Sequence, residues 1–81
     1  MIALIIYSRP GCHLCEEMKA AVERAARTVD LTLREIDVST DPALEHVYGL
    51  EIPVLLMDGK KVAKYRVTAE ELTRILRGRA G

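Results

Sequence analysis

The chain is predicted to be an α/β protein with the element order βαβαββα, four strands in one sheet and three helices packed on it. Three observations carry this. Ile2 to Tyr7 (IALIIY) and Val54 to Met57 (VLLM) are short, wholly apolar runs, which suit strands covered on both faces. Leu31 to Val38 and Lys60 to Val67 are β-rich but charged, which suits outer strands. Between and after them, two segments repeat apolar residues at spacings of three and four.

The elements follow in order. The first strand stops at Pro10-Gly11, a turn signal. From His13 to about Val29 the apolar residues Leu14, Met18, Val22, Ala25 and Val29 form one stripe, with Glu16, Glu17, Lys19, Glu23, Arg24 and Arg27 on the other faces. This predicts an amphipathic helix. Leu31 to Val38 (LTLREIDV) reads as a second, edge strand. Asp41-Pro42 has the form of an N-cap followed by proline at the first helical position, and Gly49 closes that short helix after Tyr48. Pro53 opens the third strand, and Asp58-Gly59 is the pair that a type I′ hairpin prefers. The fourth strand, KKVAKYRV, carries the lysines that protect a sheet edge. Thr68-Ala69-Glu70-Glu71 has the pattern of a capping box, with Leu72, Ile75 and Leu76 as the buried stripe of a last helix ending near Gly78. Placing the apolar strands centrally gives the order 2-1-3-4. Spacing alone leaves open whether the third strand runs parallel or antiparallel to the first.

Residues 1–81 are expected to form a single domain, which at this size buries only about 60% of the surface its unfolded chain exposes. Twelve basic residues balance twelve acidic ones, so neither nucleic acid nor an anionic membrane is the expected partner. The apolar start is too short for a membrane span and lacks the features of a signal peptide. With 49% hydrophobic residues and only two cysteines, the chain does not look like a small secreted disulfide scaffold, and a cytoplasmic setting is expected.

The two cysteines lie in SRPGCHLC, Ser8 to Cys15. A C-x-x-C pair can be a redox couple, half of a metal site, or two buried small residues. Zinc needs four ligands, and the remaining candidates, His13 and His46, lie between the cysteines and on another helix. Haem attachment requires C-x-x-C-H, whereas here the histidine lies inside the motif. Redox chemistry is the reading that remains ahead.

A strand ending in Tyr7-Ser8, then Pro10-Gly11-Cys12-His13-Leu14-Cys15 opening a helix, then Ile52-Pro53 before a hairpin and a closing helix, resembles glutaredoxin and the thioredoxin fold. The likeness spans essentially the whole chain and is nearest to small bacterial glutaredoxin-like proteins. It implies a thioredoxin-like mixed sheet with helices on both faces, the first two strands parallel and the last two antiparallel to them. It also implies a thiol-disulfide oxidoreductase with a dithiol mechanism, acting on protein or glutathione mixed disulfides. Cys12, at the start of the helix where free N–H groups and the dipole favour a thiolate, is then the attacking sulfur, and Cys15 one turn later resolves. Arg9, and His13 when protonated, add positive potential, while Glu16 and Glu17 oppose the thiolate; the rings of Tyr7, Tyr48 and Tyr65 are expected to pack, with Tyr7 also a candidate to border the substrate groove. By the same resemblance Pro53 is cis and Ile52 offers its backbone to an extended substrate.

Two departures bear on the reductant. The Thr-Val-Pro and Gly-Gly-Asp segments usual in glutathione-using glutaredoxins are replaced by Glu51-Ile52-Pro53 and Arg66-Val67-Thr68-Ala69-Glu70. Backbone N–H groups at Thr68 and Ala69, or the guanidinium groups of Arg9 and Arg66, are the remaining candidates to receive glutathione carboxylates. The expectation is therefore a monomer with no bound cofactor, partnered by protein disulfides or a reductase, with glutathione a candidate reductant. The alternative is a thioredoxin-fold binding or redox-sensing module without significant turnover.

Overall fold

The structure is a computed structural model that describes residues 1–78 in full and 79 and 80 by backbone alone. The elements are β1 (Ile2–Ser8), α1 (His13–Ala25), β2 (Leu31–Asp37), α2 (Pro42–Tyr48), β3 (Val54–Met57), β4 (Lys60–Lys64) and α3 (Ala69–Ala80), with a 3₁₀ turn at Val38–Thr40. The four strands form one sheet in the order β2-β1-β3-β4. β2 runs parallel to β1, from Ile2 opposite Leu31 to Ser8 opposite Asp37. β3 runs antiparallel to β1, from Leu4 opposite Met57 to Tyr7 opposite Val54, which answers the orientation that spacing left open.

Alternation along β1 assigns the two faces of the sheet. Ile2, Leu4 and Ile6 point into a core shared with Met18, Val22 and Ala25 of α1, Leu55 of β3, and Leu72 and Leu76 of α3. On the opposite face, Tyr7 stacks on Tyr48 of α2 with ring centroids 4.7 Å apart. α1 and α3 therefore cover one face and α2 the other. α2 buries no residue fully, so its place depends on that ring contact and on its N-cap, where Asp41 Oδ1 accepts from Ala43 N–H at 3.0 Å.

Several boundaries differ from the sequence reading: β1 runs one residue further, to Ser8, and three other elements stop early for a local reason. α1 stops at Ala25 rather than Val29, and the chain passes into turns in which Thr28 Oγ1 bonds back to the Ala25 carbonyl at 3.5 Å. β2 stops at Asp37 because its carboxylate accepts from both the N–H and the hydroxyl of Ser39, at 2.9 and 2.6 Å, and folds the chain into the 3₁₀ turn. β4 ends at Lys64, not Val67. Tyr65 adopts a φ of 66°, Arg66 N–H bonds to the Lys64 carbonyl at 2.8 Å, and Tyr65 N–H bonds to the Pro53 carbonyl at 2.8 Å. Gly78 lies within α3 and does not end it.

The hairpin and the last cap take the forms that their residues predict. Asp58 and Gly59 both have positive φ, 51° and 84°. The β3–β4 register slips between Leu55 and Leu56, opposite Ala63 and Lys61, so Val62 is an extra residue in β4. Thr68 Oγ1 accepts from Glu71 N–H at 3.0 Å while Glu71 Oε1 accepts from Thr68 N–H at 3.2 Å.

Leu55 is fully buried between the sheet and the helices. Leu55→Ala should cost about 2–5 kcal/mol, the usual range for such a truncation, which is a large share of the stability of so small a domain. Equilibrium urea unfolding measures it, and a loss below about 1 kcal/mol would mean that the core closes over the gap.

Candidate functional site

The site is built where β1 ends and α1 begins. Cys12 N–H donates to the Arg9 carbonyl at 3.2 Å across Pro10-Gly11, with Gly11 at a φ of 79°. Proline followed by a positive-φ glycine is the preference of a type II turn. This turn delivers Cys12 to the N-cap of α1 in extended conformation, and its sulfur accepts from Cys15 N–H at 3.1 Å. Cys12 and Cys15 are joined by a disulfide, with Cα atoms 5.2 Å apart. The two sulfurs are unlike in surroundings. Cys12 is half-buried, whereas Cys15 is only 2% exposed. His13, the first residue of α1, is exposed.

Of the other residues singled out from the sequence, Ile52 and Pro53 lead into β3, the strand next to β1. The Ile52–Pro53 peptide bond is cis, the isomer the resemblance implies. Pro53 is buried, and its carbonyl is taken by Tyr65 N–H. Among the described residues, neither the N–H nor the carbonyl of Ile52 has a hydrogen-bond partner. Tyr7 is on the face of β1 turned toward α2, packed on Tyr48.

Arg9 is oriented by α2. Its Nη2 lies 3.5 Å from Glu45 Oε1, and its Nε is buried without a partner. Gly49 has an ordinary helical φ of −55°, so it does not end α2 by turning left-handed. Instead it leaves room: a Cβ there would press on the Glu45 carbonyl and reach within 3.2 Å of Arg9 Nη2. Thr68 is set apart from Arg9. It lines a shallow pocket with Glu17, Met18, Tyr65, Arg66 and Glu71, and its N–H, one of the expected carboxylate donors, is engaged by Glu71.

Sequence reasoning missed the polar group beside Cys15. Ser8, the one buried polar side chain among the described residues, donates its hydroxyl to Glu35 Oε2 at 2.8 Å. Lys19 Nζ lies 3.2 Å from the same oxygen and 2.8 Å from Glu16 Oε2. The Ser8 hydroxyl, helped by Lys19, holds the Glu35 carboxyl below its usual value against the opposing effect of burial. Lys19 is raised, through its hydrogen bonds to Glu16 first and Glu35 second. The Glu16–Lys19 spacing was readable from the sequence. The approach of Glu35 to Ser8 depends on the β1–β2 register, which no local pattern encodes.

Residues 3–77 match the model of the Glutaredoxin-like domain (DUF836) family. The chain belongs to the glutaredoxin-like family. It is 30% identical over 77 residues to the glutaredoxin-like protein YDR286C homolog of Dictyostelium discoideum, covering 88% of this chain and 71% of that one. The X-ray structure of protein XcR50 from X. campestris superposes with a TM-score of 0.80 at 32% identity, over 93% of this chain and 96% of that one. Chloroplastic thioredoxin z, at 17% identity, shares the fold alone, with a TM-score of 0.79 over all of this chain and 80% of its own. The fold is thus thioredoxin-like, with the C-x-x-C pair of this glutaredoxin-like domain at the β1–α1 corner. Among the described residues, no helix is long and apolar enough to cross a membrane.

Two outcomes follow from the site's electrostatics. His13 is the first residue of α1, next to Cys12, so His13→Pro, which α1 accepts at its first position, should shift the disulfide's reduction potential. Equilibration with a glutathione redox buffer measures this, and an unchanged potential would remove His13 from the tuning of Cys12. Because the Glu35 carboxyl is lowered in the folded chain, its contact with Ser8 stabilises above the ordinary carboxylate range and is lost as pH falls through that lowered value. Ser8→Ala should therefore be destabilised at about pH 7, with the gap to wild type narrowing toward about pH 3, as urea unfolding at the two values would record.

Proposed function

We propose that this glutaredoxin-like domain is a thiol-disulfide oxidoreductase in which Cys12 attacks and Cys15 resolves. The asymmetry of the pair carries the reading: Cys12 caps the helix and is half-exposed, whereas Cys15, three residues on, is 2% exposed. A thiolate at Cys12 attacks one sulfur of a substrate disulfide, forming a mixed disulfide and releasing the first substrate thiolate. Cys15 then attacks the Cys12 sulfur, the Cys12–substrate bond breaks, and the second thiolate leaves. Two electrons and two protons pass from the chain to the substrate, whose disulfide becomes two thiols, while Cys12 and Cys15 become a disulfide to be reduced by an external thiol.

The unpartnered N–H and carbonyl of Ile52 support an extended substrate segment lying beside the sulfurs, one rung of strand addition. A protein disulfide is the substrate class these surroundings favour. Val47 is 60% exposed and Leu50 97% exposed on the chain leading to Ile52, and apolar side chains there suit a polypeptide better than the charged ends of glutathione. Glutathione remains the candidate reductant, and a monomer working in a reducing, cytoplasmic compartment fits the chemistry.

Turnover of a protein disulfide and of a glutathione mixed disulfide by wild type, Cys12→Ser and Cys15→Ser tests this. Cys12→Ser should lose at least about 100-fold on both substrates, and Cys15→Ser should lose activity mainly on the protein disulfide. Wild-type inactivity on both would instead favour a redox-sensing or binding module that uses the same groove without turnover.

A further inference from the structure

A cavity of about 310 Å³ opens beside Cys15, on the polar group formed by Ser8, Glu16 and Glu35, with Arg9 and Asp37 at its margins. Cys15 lines it together with these charged side chains. Three carboxylates, those of Glu16, Glu35 and Asp37, line it, against Arg9; Lys19 reaches Glu16 and Glu35 from α1. Their fixings differ. Arg9 pairs with Glu45 on α2, and the Asp37 carboxylate faces Ser39. Glu35 is held from two elements, by the buried Ser8 hydroxyl of β1 and by Lys19 of α1.

We propose that Glu35 is a positioning residue for the resolving step: its fixed negative charge keeps the Cys15 sulfur protonated at rest, leaving Cys12 as the sole standing nucleophile. This rests on the assignment of Cys15 as the resolving thiol. A like charge across a small cavity disfavours a thiolate, and burial of the sulfur acts in the same direction.

Glu35 acts as a charge and not as a base. Both of its oxygens are already hydrogen-bonded, and a carboxyl held below its ordinary value is a poor acceptor for a proton from a thiol, which lies about four units higher. As the Cys15 sulfur bonds to Cys12, its proton leaves to water in the cavity. The Cys12–substrate bond breaks, and the departing substrate thiolate takes a proton from solvent, so protons balance. The consequence is order: Cys15 does not compete for substrate disulfides, and the pair closes only once a mixed disulfide has formed on Cys12.

The test is a pH titration of the Cys15 Cβ resonance by NMR in the Cys12→Ser background, with no substrate present. Adding Glu35→Gln, which keeps the shape and a partner for Ser8, should lower the pH of Cys15 ionisation by about half to one unit. Adding Lys19→Met, which leaves Glu35 uncompensated, should raise it by a similar amount, and both together should return it near the starting value. Glu70→Gln, an exposed change on α3, serves as the control and should leave it unmoved. A purely structural role for the group would not give opposite signs. An upward shift or none in Glu35→Gln overturns the proposal; if that variant does not fold, failure of Lys19→Met to raise the value overturns it. The readout is independent of turnover, so an inactive wild type would sink the oxidoreductase reading while leaving this titration interpretable.

Discussion

Because β1 is hydrogen-bonded along both edges, parallel to β2 and antiparallel to β3, the position of its last residue fixes the rest of the site. Ser8 ends the strand, and four residues later Cys12 caps α1. The antiparallel partner brings Val54 opposite Tyr7, which sets cis-Pro53 and Ile52 beside the same corner. The parallel partner brings Glu35 within reach of Ser8. A one-residue slip on either edge would turn the paired side chains to the other face and dissolve the arrangement. The apolar content of β1 thus matters twice: it anchors the core and it indexes the site.

Much of this was legible because it is local. Apolar runs, a proline-glycine turn, a capping box and an Asp-Gly hairpin are each decided within a few residues, and C-x-x-C at a helix start carries its chemistry in its spacing. What the sequence could not supply is long-range. Strand order came from charge patterning, but the direction of β3 needed the family resemblance, because the α2 connection is too short for its pattern to decide. Glu35 read as one more charge on an edge strand, and only the register joins it to Ser8. Arg9 read as a free cation near the sulfurs, yet it is half-committed to Glu45. The overlong readings of α1, β2 and β4 share one cause: side chains or backbone at Thr28, Asp37 and Tyr65 bond locally and outcompete propensity.

Tyr65 illustrates how the periphery is tied to the centre. A tyrosine at a φ of 66° is unfavourable by itself, and it persists because its N–H satisfies the Pro53 carbonyl and its neighbour closes a tight turn on Lys64. That turn redirects the chain from β4 to the N-cap of α3. The segment that follows is shaped by this turn and by the Thr68–Glu71 cap, in which the first N–H is already engaged. The surface is apolar at Val47 and Leu50, Arg66 lines the pocket with Thr68 and Glu71, and the Thr68 N–H is not open to a ligand.

Within the proposed chemistry, magnitudes decide what such a corner achieves. Lowering a thiol from about 8.5 to about 6.5 raises its thiolate fraction at neutral pH about 25-fold, while its intrinsic nucleophilicity falls about 8-fold, so attack gains only about threefold. The larger effect is on departure: a stabilised Cys12 thiolate leaves its disulfide more readily, which makes the pair easier to reduce. A helix N-terminus favouring charge on one sulfur, and a carboxylate held by Ser8 and Lys19 opposing it on the other, therefore act on poise and order more than on speed. That division suits a dithiol whose reductant is not held in a preformed pocket, because the oxidised pair must then yield to whatever thiol reaches the half-exposed Cys12.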